Sequence, residues 1–520
     1  MLFFIFFLAI LLCGGLAVKS SSTLFSIFLL TLNGSHWDSY LYLDIVTLLI
    51  LLMLSICFGY ALFYTGHYFG HDNSGVQLNK VICLFVAVMG SLVLSGDYLT
   101  TLVFWEYLGV VSFFLILFYS NYLSLRSSVV TLVSSRYGDV CLFLLISLSF
   151  YFKFPAYVAA MLFFFVIFTK SAGFPFISWL LEAMRAPTPV SSLVHSSTLV
   201  AAGVWFAMRY DVFNFMSNVL GFVTILTLTI FITGLCCFFF LDLKKIVALS
   251  TCNNIAWCVV YLIYGDVVLS LFQLISHGVS KCLLFMLVGD VMSGTGGSQA
   301  SNCVYSPRLY GNWGLFGLFS VILGLSGAPY IGVFFTKHFL VSTFSSFSNI
   351  IFFLFLLLCV FLSYFYSFRL CRILYNTENS VAAGVLYSFS SGIMVYFWLL
   401  VNYFIAGMLD ESVSVTTITS GSLIVFQIVS CFTAYFLFSS TLLRGWSSSL
   451  FGCDNIVELG YDTYNSLNIA CSLFFYRWDK KMIGLFSNSG QPFINVINNG
   501  LLNFIMLISI LIFVGCLIIY

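Results

Sequence analysis

The sequence predicts an all-α polytopic membrane protein of about sixteen transmembrane helices. Hydrophobic residues make up 61% of the 520 positions and charged residues 7%, against roughly 45–50% and 25% in ordinary soluble domains. The apolar residues come in continuous runs of roughly 20, one bilayer crossing each, whereas a barrel would show strands of about ten residues with dyad alternation. Inside lipid each backbone group must be satisfied within its own segment, so these runs read as helices. The net charge of +1 lacks the basic face that nucleic-acid binding needs. Sixteen cysteines include no C-x-x-C pair, and most fall in apolar runs, as at Cys57, Cys141 and Cys282. They read as small buried hydrophobes, with no metal site, cluster or disulfide framework.

Hydropathy, broken by Gly, Ser, Asn and charge, places spans near 2–18, 41–64, 79–95, 99–120, 128–152, 157–182, 190–210, 219–241, 244–264, 267–292, 310–326, 329–345, 349–370, 385–407, 421–443 and 501–520. The run at 2–18 has no basic residue before it and Lys19 after it, so it reads as a retained first helix, not a cleaved signal. No Arg precedes Arg126, which removes an Arg-rich transit peptide, and the excess of Phe and Tyr over Pro fits a T-rich coding sequence such as organelle genomes carry. The organisation is N-terminal helices in 1–95, blocks at 99–241 and 244–370, C-terminal helices in 385–443, a segment at 454–499 and a last helix at 501–520.

The polar islands His67–Asn79 and Gly294–Pro307 read as loops; the run Gly294-Thr-Gly-Gly-Ser lacks the lysine of a phosphate-binding loop. Arg369 and Arg372 after the thirteenth span, and Arg444, Arg477, Lys480 and Lys481 after the fifteenth, contrast with Asp410 and Glu411 after the fourteenth. By the positive-inside tendency the loops after odd spans face the matrix or cytoplasm. Between 454 and 499, Val457, Tyr461, Tyr464, Cys471, Phe475, Trp478, Met482 and Leu485 recur at helical steps, with Asp454, Glu458, Asp462, Asp479, Lys480 and Lys481 on other faces. That pattern reads as an amphipathic helix along the membrane, or as two short interfacial helices separated near Ser487–Pro492.

Charge at hydrocarbon depth is the most informative feature, because each such group needs a partner, a water file or a task. Glu106 lies about two turns into its span behind Trp105; it is a site residue or an interfacial Glu with a Trp anchor. Lys170 sits mid-span in Phe168-Thr-Lys-Ser-Ala-Gly-Phe-Pro175, where proline frees a helix carbonyl that a polar cavity can use. A lysine beside such a break, away from bulk water, can exchange a proton where a surface lysine stays charged, unless an acidic neighbour merely neutralises it. Gly327-Ala-Pro329 followed by Lys337 and His338 repeats the ingredients, as a duplicated transporter unit would. Gln273, His277 and Lys281 at i, i+4, i+8 stack on one helix face and read as the lining of a water-filled path or as helix–helix glue. His195 is either a proton-exchanging group or a satisfied core histidine. Arg136 and Asp139 at i, i+3 read as a local ion pair, and Asp242, Lys244 and Lys245 as hydrated charges at a span boundary. Together these groups outline a titratable chain from Glu106 through Lys170 and His195 to His277, Lys281 and Lys337, with Glu106 beside Lys170 as its obvious pair.

The stretch from Phe168 through Trp179-Leu-Leu-Glu-Ala-Met-Arg-Ala-Pro-Thr-Pro-Val-Ser-Ser-Leu-Val-His-Ser-Ser-Thr198 and on to Gly203 resembles the chain 5 family of NADH:ubiquinone oxidoreductase, the antiporter-like subunits of mitochondrial complex I. Trp105-Glu106-x-x-Gly109, Arg136-x-Gly-Asp139, Asp242-Leu-Lys-Lys-Ile-Val-Ala-Leu-Ser-Thr251 and His277-x-x-x-Lys281 fall in the family's order, and the match covers most of residues 90–345. The resemblance implies a multi-pass, proton-translocating subunit of the mitochondrial inner membrane. It implies two inverted five-helix repeats with Glu106, Lys170, His195, Lys281 and Lys337 on the path. It implies that NADH, flavin, iron–sulfur clusters and ubiquinone are handled by partner subunits and none by this chain. It also implies that the lateral helix contacts the related chain 4. The sequence departs from the family at His338, where an acid is usual, at Gln273, where a histidine is usual, and in a shorter tail. A cation/proton antiporter subunit of the multi-subunit bacterial type and a purely structural membrane anchor are the alternatives.

Overall fold

A computed structural model describes residues 23–437 except 33–34, 71, 152–155, 211–212, 214–218, 265, 294, 296, 302, 305, 308–310, 330, 345–348, 378, 381–391 and 407–415, and also residues 453–486, 507–509 and 511. The spans expected at 2–18 and, for the most part, 501–520 lie outside the described residues, as do Asp410, Glu411 and Arg444. The chain forms two units, Met1–Cys453 and Asp454–Tyr520.

The first unit opens with an antiparallel hairpin, β1 (Thr23–Leu32) and β2 (Ser35–Leu43). Hydropathy passes over this region because neither strand is long or apolar enough to register, although Asn33-Gly34 between two runs is the usual hairpin signal. The Gly96 amide donates to the Tyr40 carbonyl at 2.7 Å, tying β2 to the entrance of a later helix.

Helices then follow: α1 (Ile45–Tyr68), α2 (Asn73–Leu94), α3 (Tyr98–Ile116), α4 (Tyr122–Tyr151), α5 (Ala156–Ser171), α6 (Ser178–Ala183), α7 (Thr188–Leu193) and, through a π turn at Val194–Thr198, α8 (Leu199–Tyr210). Next come α9 (Leu220–Phe239), α10 (Leu243–Ile263), α11 (Val267–Ser293), α12 (Gly311–Ser326), α13 (Phe334–Phe344), α14 (Ile350–Tyr375), α15 (Gly392–Ala406) and α16 (Thr417–Leu437). Ten helical segments among the described residues are long and apolar enough to cross a membrane. Asp44 starts α1 with a capping box to Thr47, and Asp97 caps α3 through the Thr100 amide, which gives the orphan amides of two first turns their acceptors. The segments Thr188–Tyr210, Leu243–Ile263 and Val267–Ser293 are buried along nearly their whole length and form the centre of the unit.

Three expectations are corrected. The island His67–Asn79 is mostly helical, because α1 runs on to Tyr68 and α2 starts at Asn73, leaving only a short turn between them. The run at 157–182 is two helices, since the backbone turns at 172–177. Arg369 and Arg372 are not loop charges: both lie within α14, and the buried Arg369 guanidinium donates to the carbonyls of Cys237 at 2.6 Å and Phe240 at 3.1 Å. Lone carbonyls at the end of α9 therefore hold a charge that hydropathy assigned to water.

In the second unit α17 (Cys453–Phe486) is one continuous helix of 34 residues. At 1.5 Å per residue it is about 51 Å long. The rest of the segment expected at 454–499 lies outside the described residues.

Candidate functional site: a buried polar path

Both predicted breaks end their first half-helix in the same way. At the first, Ala172 is left-handed (φ 55) and the Gly173 amide reaches back to the Phe168 carbonyl at 3.0 Å. At the second, Gly327 is left-handed (φ 92) and the Ala328 amide reaches the Leu323 carbonyl at 2.9 Å. This is a Schellman closure, which stops a helix and frees its last carbonyls. Each freed end is then met by a side chain from beyond the break. Trp179 Nε1 donates to the Thr169 carbonyl at 3.1 Å, and Lys337 Nζ donates to the Ser326 carbonyl at 2.6 Å. The two lysines thus differ in placement, Lys170 in the last turn before its break and Lys337 in the helix after its own.

Lys170 is 1% exposed and lines a small cavity with Ser112, Ser135, Thr169, Trp179 and His195, with room for about one water. Its ammonium lies 5.1 Å from the centre of the Trp105 ring and has no hydrogen-bond partner among the described residues. His195 is fully buried within the π turn, its ring 6.3 Å from that of Trp179. The extra residue of a π turn re-aims side chains and leaves bonds loose, as single π turns at functional sites do.

The expected pair of Glu106 with Lys170 makes no ion-pair contact among the described residues, although the two groups interact electrostatically. Glu106 is held by the Arg136 guanidinium, which also lies 3.4 Å from the buried Asp139 carboxylate. The i, i+3 pair of Arg136 and Asp139 is real, but it is one side of a three-member cluster. The cause is reach: α3 packs along α4, and the long Arg136 side chain spans to Glu106 while Lys170 is turned into the cavity.

A second polar group spans α10, α11, α13 and α14. Lys281 donates to the Ser250 hydroxyl and to the Val247 carbonyl (3.4 Å) on α10. One turn along α10, Asn254 Nδ2 donates to the Ser250 carbonyl at 3.0 Å, and Gln273 Nε2 donates to Asn254 Oδ1 at 3.4 Å. Thr336 donates to Gln273 Oε1 at 2.9 Å, and its neighbour Lys337 donates to Ser363 Oγ at 2.7 Å, with the Tyr364 ring 3.8 Å away. Gln273, His277 and Lys281 share α11 as expected, yet the bonds run from Gln273 and Lys281 across to α10 and α13, and neither His277 nitrogen has a partner among the described residues. Gln427 of α16 donates to the Gly327 carbonyl at the second break. His338 stands apart from this chain, against Thr416 and Thr419.

Residues 95–365, more than half of the chain, match the family model described as the transmembrane region of NADH:quinone oxidoreductase/Mrp antiporters. The chain belongs to this family. It is similar to NADH-ubiquinone oxidoreductase chain 5 of Caenorhabditis elegans, 36% identical over 342 residues that cover 62% of this chain and 65% of that relative. It is 33% identical to chain 5 of Aedes aegypti over 64% of this chain and 59% of the relative. The chain therefore spans less than two thirds of the length of these relatives. In fold it is similar to a chain of the Mrp complex from Dietzia sp. DQ12-45-1b, with TM-score 0.71, 20% identity and coverage of 92% of this chain and 60% of that one. A chain of the membrane-bound sulfane sulfur reductase, an archaeal respiratory membrane complex, gives TM-score 0.65 at 16% identity, covering 84% of this chain and 93% of that one.

Several groups in this family member escape sequence reading. Lys244, expected to be hydrated, is 5% exposed and donates to the Ala186 carbonyl at 3.4 Å; Lys245 and Asp242, read as hydrated charges, form a partly exposed ion pair at 3.3 Å. Arg209 joins Asp44 at 2.8 Å across 165 residues of sequence. Only the paucity of charge in the chain could have singled these residues out.

Proposed function

We propose that this chain is a proton-translocating subunit of the chain 5 type in mitochondrial complex I, multi-pass in the inner membrane. The observation that carries the reading is the buried polar group in which Lys281 bonds the Ser250 hydroxyl, Asn254 the Ser250 carbonyl, Gln273 bonds Asn254, and Thr336, the neighbour of Lys337, bonds Gln273. Buried polar side chains bonded across three helices are costly unless they have work to do, and passing a proton is work that such a group can support. Lys170 and His195 in their shared cavity supply a second exchange point, and the π turn bearing His195 packs on α11 beside His277, since a Cβ on Gly278 would lie 3.4 Å from Ser197 Cβ.

Arg136 acts as the competitor that controls Lys170. While it holds Glu106, the Glu106 and Asp139 carboxylates act on Lys170 only from a distance; if α3 or α4 shifts, Glu106 can pair with Lys170 directly and the lysine keeps its proton. Moving one proton against about 100 mV takes about 2.3 kcal/mol, so the drive comes from outside the chain. In this reading NADH, flavin, iron–sulfur clusters and ubiquinone belong to partner subunits, the two breaks belong to inverted five-helix repeats, and α17 is the lateral helix that contacts the related chain 4.

The test uses the assembled complex in vesicles, with proton uptake followed alongside NADH oxidation. Lys170→Ala is expected to lower the protons moved per NADH, and an unaltered ratio leaves only a structural anchor. The likeness in fold to the Mrp complex keeps a cation/proton antiporter subunit as a second reading, which sodium-dependent flux by the chain would favour.

A further inference from the structure

One buried titratable pair takes no part in the path above. Asp290, in the last turn of α11, is fully buried, and its Oδ1 lies 3.3 Å from Nε2 of His67 in the last turn of α1. The His67 side chain is 25% exposed. One partner is thus partly exposed at the end of its helix while the other is sealed in protein. Tyr64 and Thr188 crowd the residue next to the carboxylate: a Cβ on Gly289 would lie 2.7 Å from Tyr64 Oη and 3.3 Å from Thr188 Cβ. From Thr188, the buried Ser191, Ser192 and His195 follow at i+3, i+4 and i+7. Thr188, Ser191 and Ser192 lie in α7, where the two serine hydroxyls donate to the carbonyls of Thr188 and Pro189, and His195 follows in the π turn. Hydroxyls, which can both donate and accept, therefore stand on the segment between the Asp290 neighbourhood and the imidazole that lines the Lys170 cavity, forming a hydroxyl face.

We propose that His67 and Asp290 form a proton-exchange port between water and this hydroxyl face, an inference that rests on the proton-translocating reading. A proton from water binds Nδ1 of the imidazole, and the proton on Nε2 passes to Asp290 Oδ1. This leaves a neutral histidine and a carboxylic acid; the acid then gives its proton to the Thr188 hydroxyl as the hydroxyls pass a proton on to a ring nitrogen of His195, which has no partner among the described residues. A ring flip that turns the remaining N–H toward Asp290 restores the starting state. In the reverse direction the same steps release a proton. A simple clamp joining α1 to α11 would use the same contact without exchanging protons.

The assembled complex in its membrane separates the two roles. His67→Ala is expected to slow NADH-driven proton uptake several-fold, with recovery in added imidazole and none in pyrazole, which has the same shape but does not take up a proton near neutrality. Equal recovery in both, or uptake at the unaltered rate, overturns the port. If His67→Ala fails to assemble, His67→Gln keeps a donor to Asp290 and cannot shuttle, so slow uptake in an assembled complex supports the port and normal uptake overturns it. Lys170→Ala measured alongside distinguishes the two levels. Loss of uptake there with a normal His67→Ala removes only the port, whereas normal uptake in both removes the proton-translocating reading and the port with it.

Discussion

The guanidinium of Arg136, and not the ammonium of Lys170, holds the carboxylate of Glu106. The Arg136 and Glu106 side chains lie within candidate spans and are 40% and 28% exposed, so their contact pairs two charges that lipid would penalise alone. The contact also decides which cation the carboxylate serves. Arg136→Gln is expected to slow proton uptake several-fold, since Glu106 can then stay with Lys170. Assays of uptake check this, and unchanged uptake would remove Arg136 from the control of Lys170.

Gly203 is where α8 crosses α5. A Cβ there would lie 3.0 Å from the Ile167 carbonyl oxygen and 3.3 Å from the Ser171 amide, both backbone atoms that cannot swing aside. Gly203→Ala is expected to destabilise the chain by about 1–3 kcal/mol, as overpacking does, and to displace the turn that carries Lys170. Gly221→Ala, with nothing within 4 Å of its Cβ, serves as the neutral control. Thermal melting of the purified complex distinguishes them.

Much of this was legible in the sequence, for a physical reason. A proline and a glycine or a left-handed residue next to a mid-span lysine mark a helix break wherever the rest folds, so both breaks and the residues Lys170, His195, Lys281 and Lys337 could be named in advance. Partnership is different. Glu106 with Arg136, His67 with Asp290 and Arg209 with Asp44 are set by how helices pack, over separations of 30, 223 and 165 residues. Lys244 looked hydrated because it starts a helix, yet Ala186 reaches over it. The β1–β2 hairpin fell below any hydropathy window.

Gln273 stands where the family usually carries a histidine, and it bridges Asn254 and Thr336. Gln273→Leu removes the bridge while Asn254 keeps its bond to the Ser250 carbonyl and Thr336 its bond to the Val333 carbonyl, and is expected to slow proton uptake strongly. Gln273→His, which can both donate and accept, is expected to recover most of it. Equal rates for the two variants would mean the bridge carries nothing.

Lys337 fills the freed Ser326 carbonyl and lies over Tyr364. Lys337→Met keeps the bulk and loses both bonds, and is expected to lower proton uptake about as far as Lys170→Ala does. Lys337→Arg keeps the charge but cannot give up its proton, so it is expected to assemble well and translocate poorly. Comparing assembly yield with uptake for the pair separates structural from proton-exchanging roles.

The contact between the Lys281 side of the polar group and the helix of Lys337 is made by the Thr336 hydroxyl, 2.9 Å from Gln273 Oε1. Thr336→Val preserves shape and removes that link together with the hydroxyl's local bond to the Val333 carbonyl. Protons taken up per NADH oxidised, measured in vesicles holding the assembled complex, give the most direct test. A clear fall in the ratio with assembly intact is the predicted result, and a ratio identical to that of the unaltered complex would contradict a proton route along this chain.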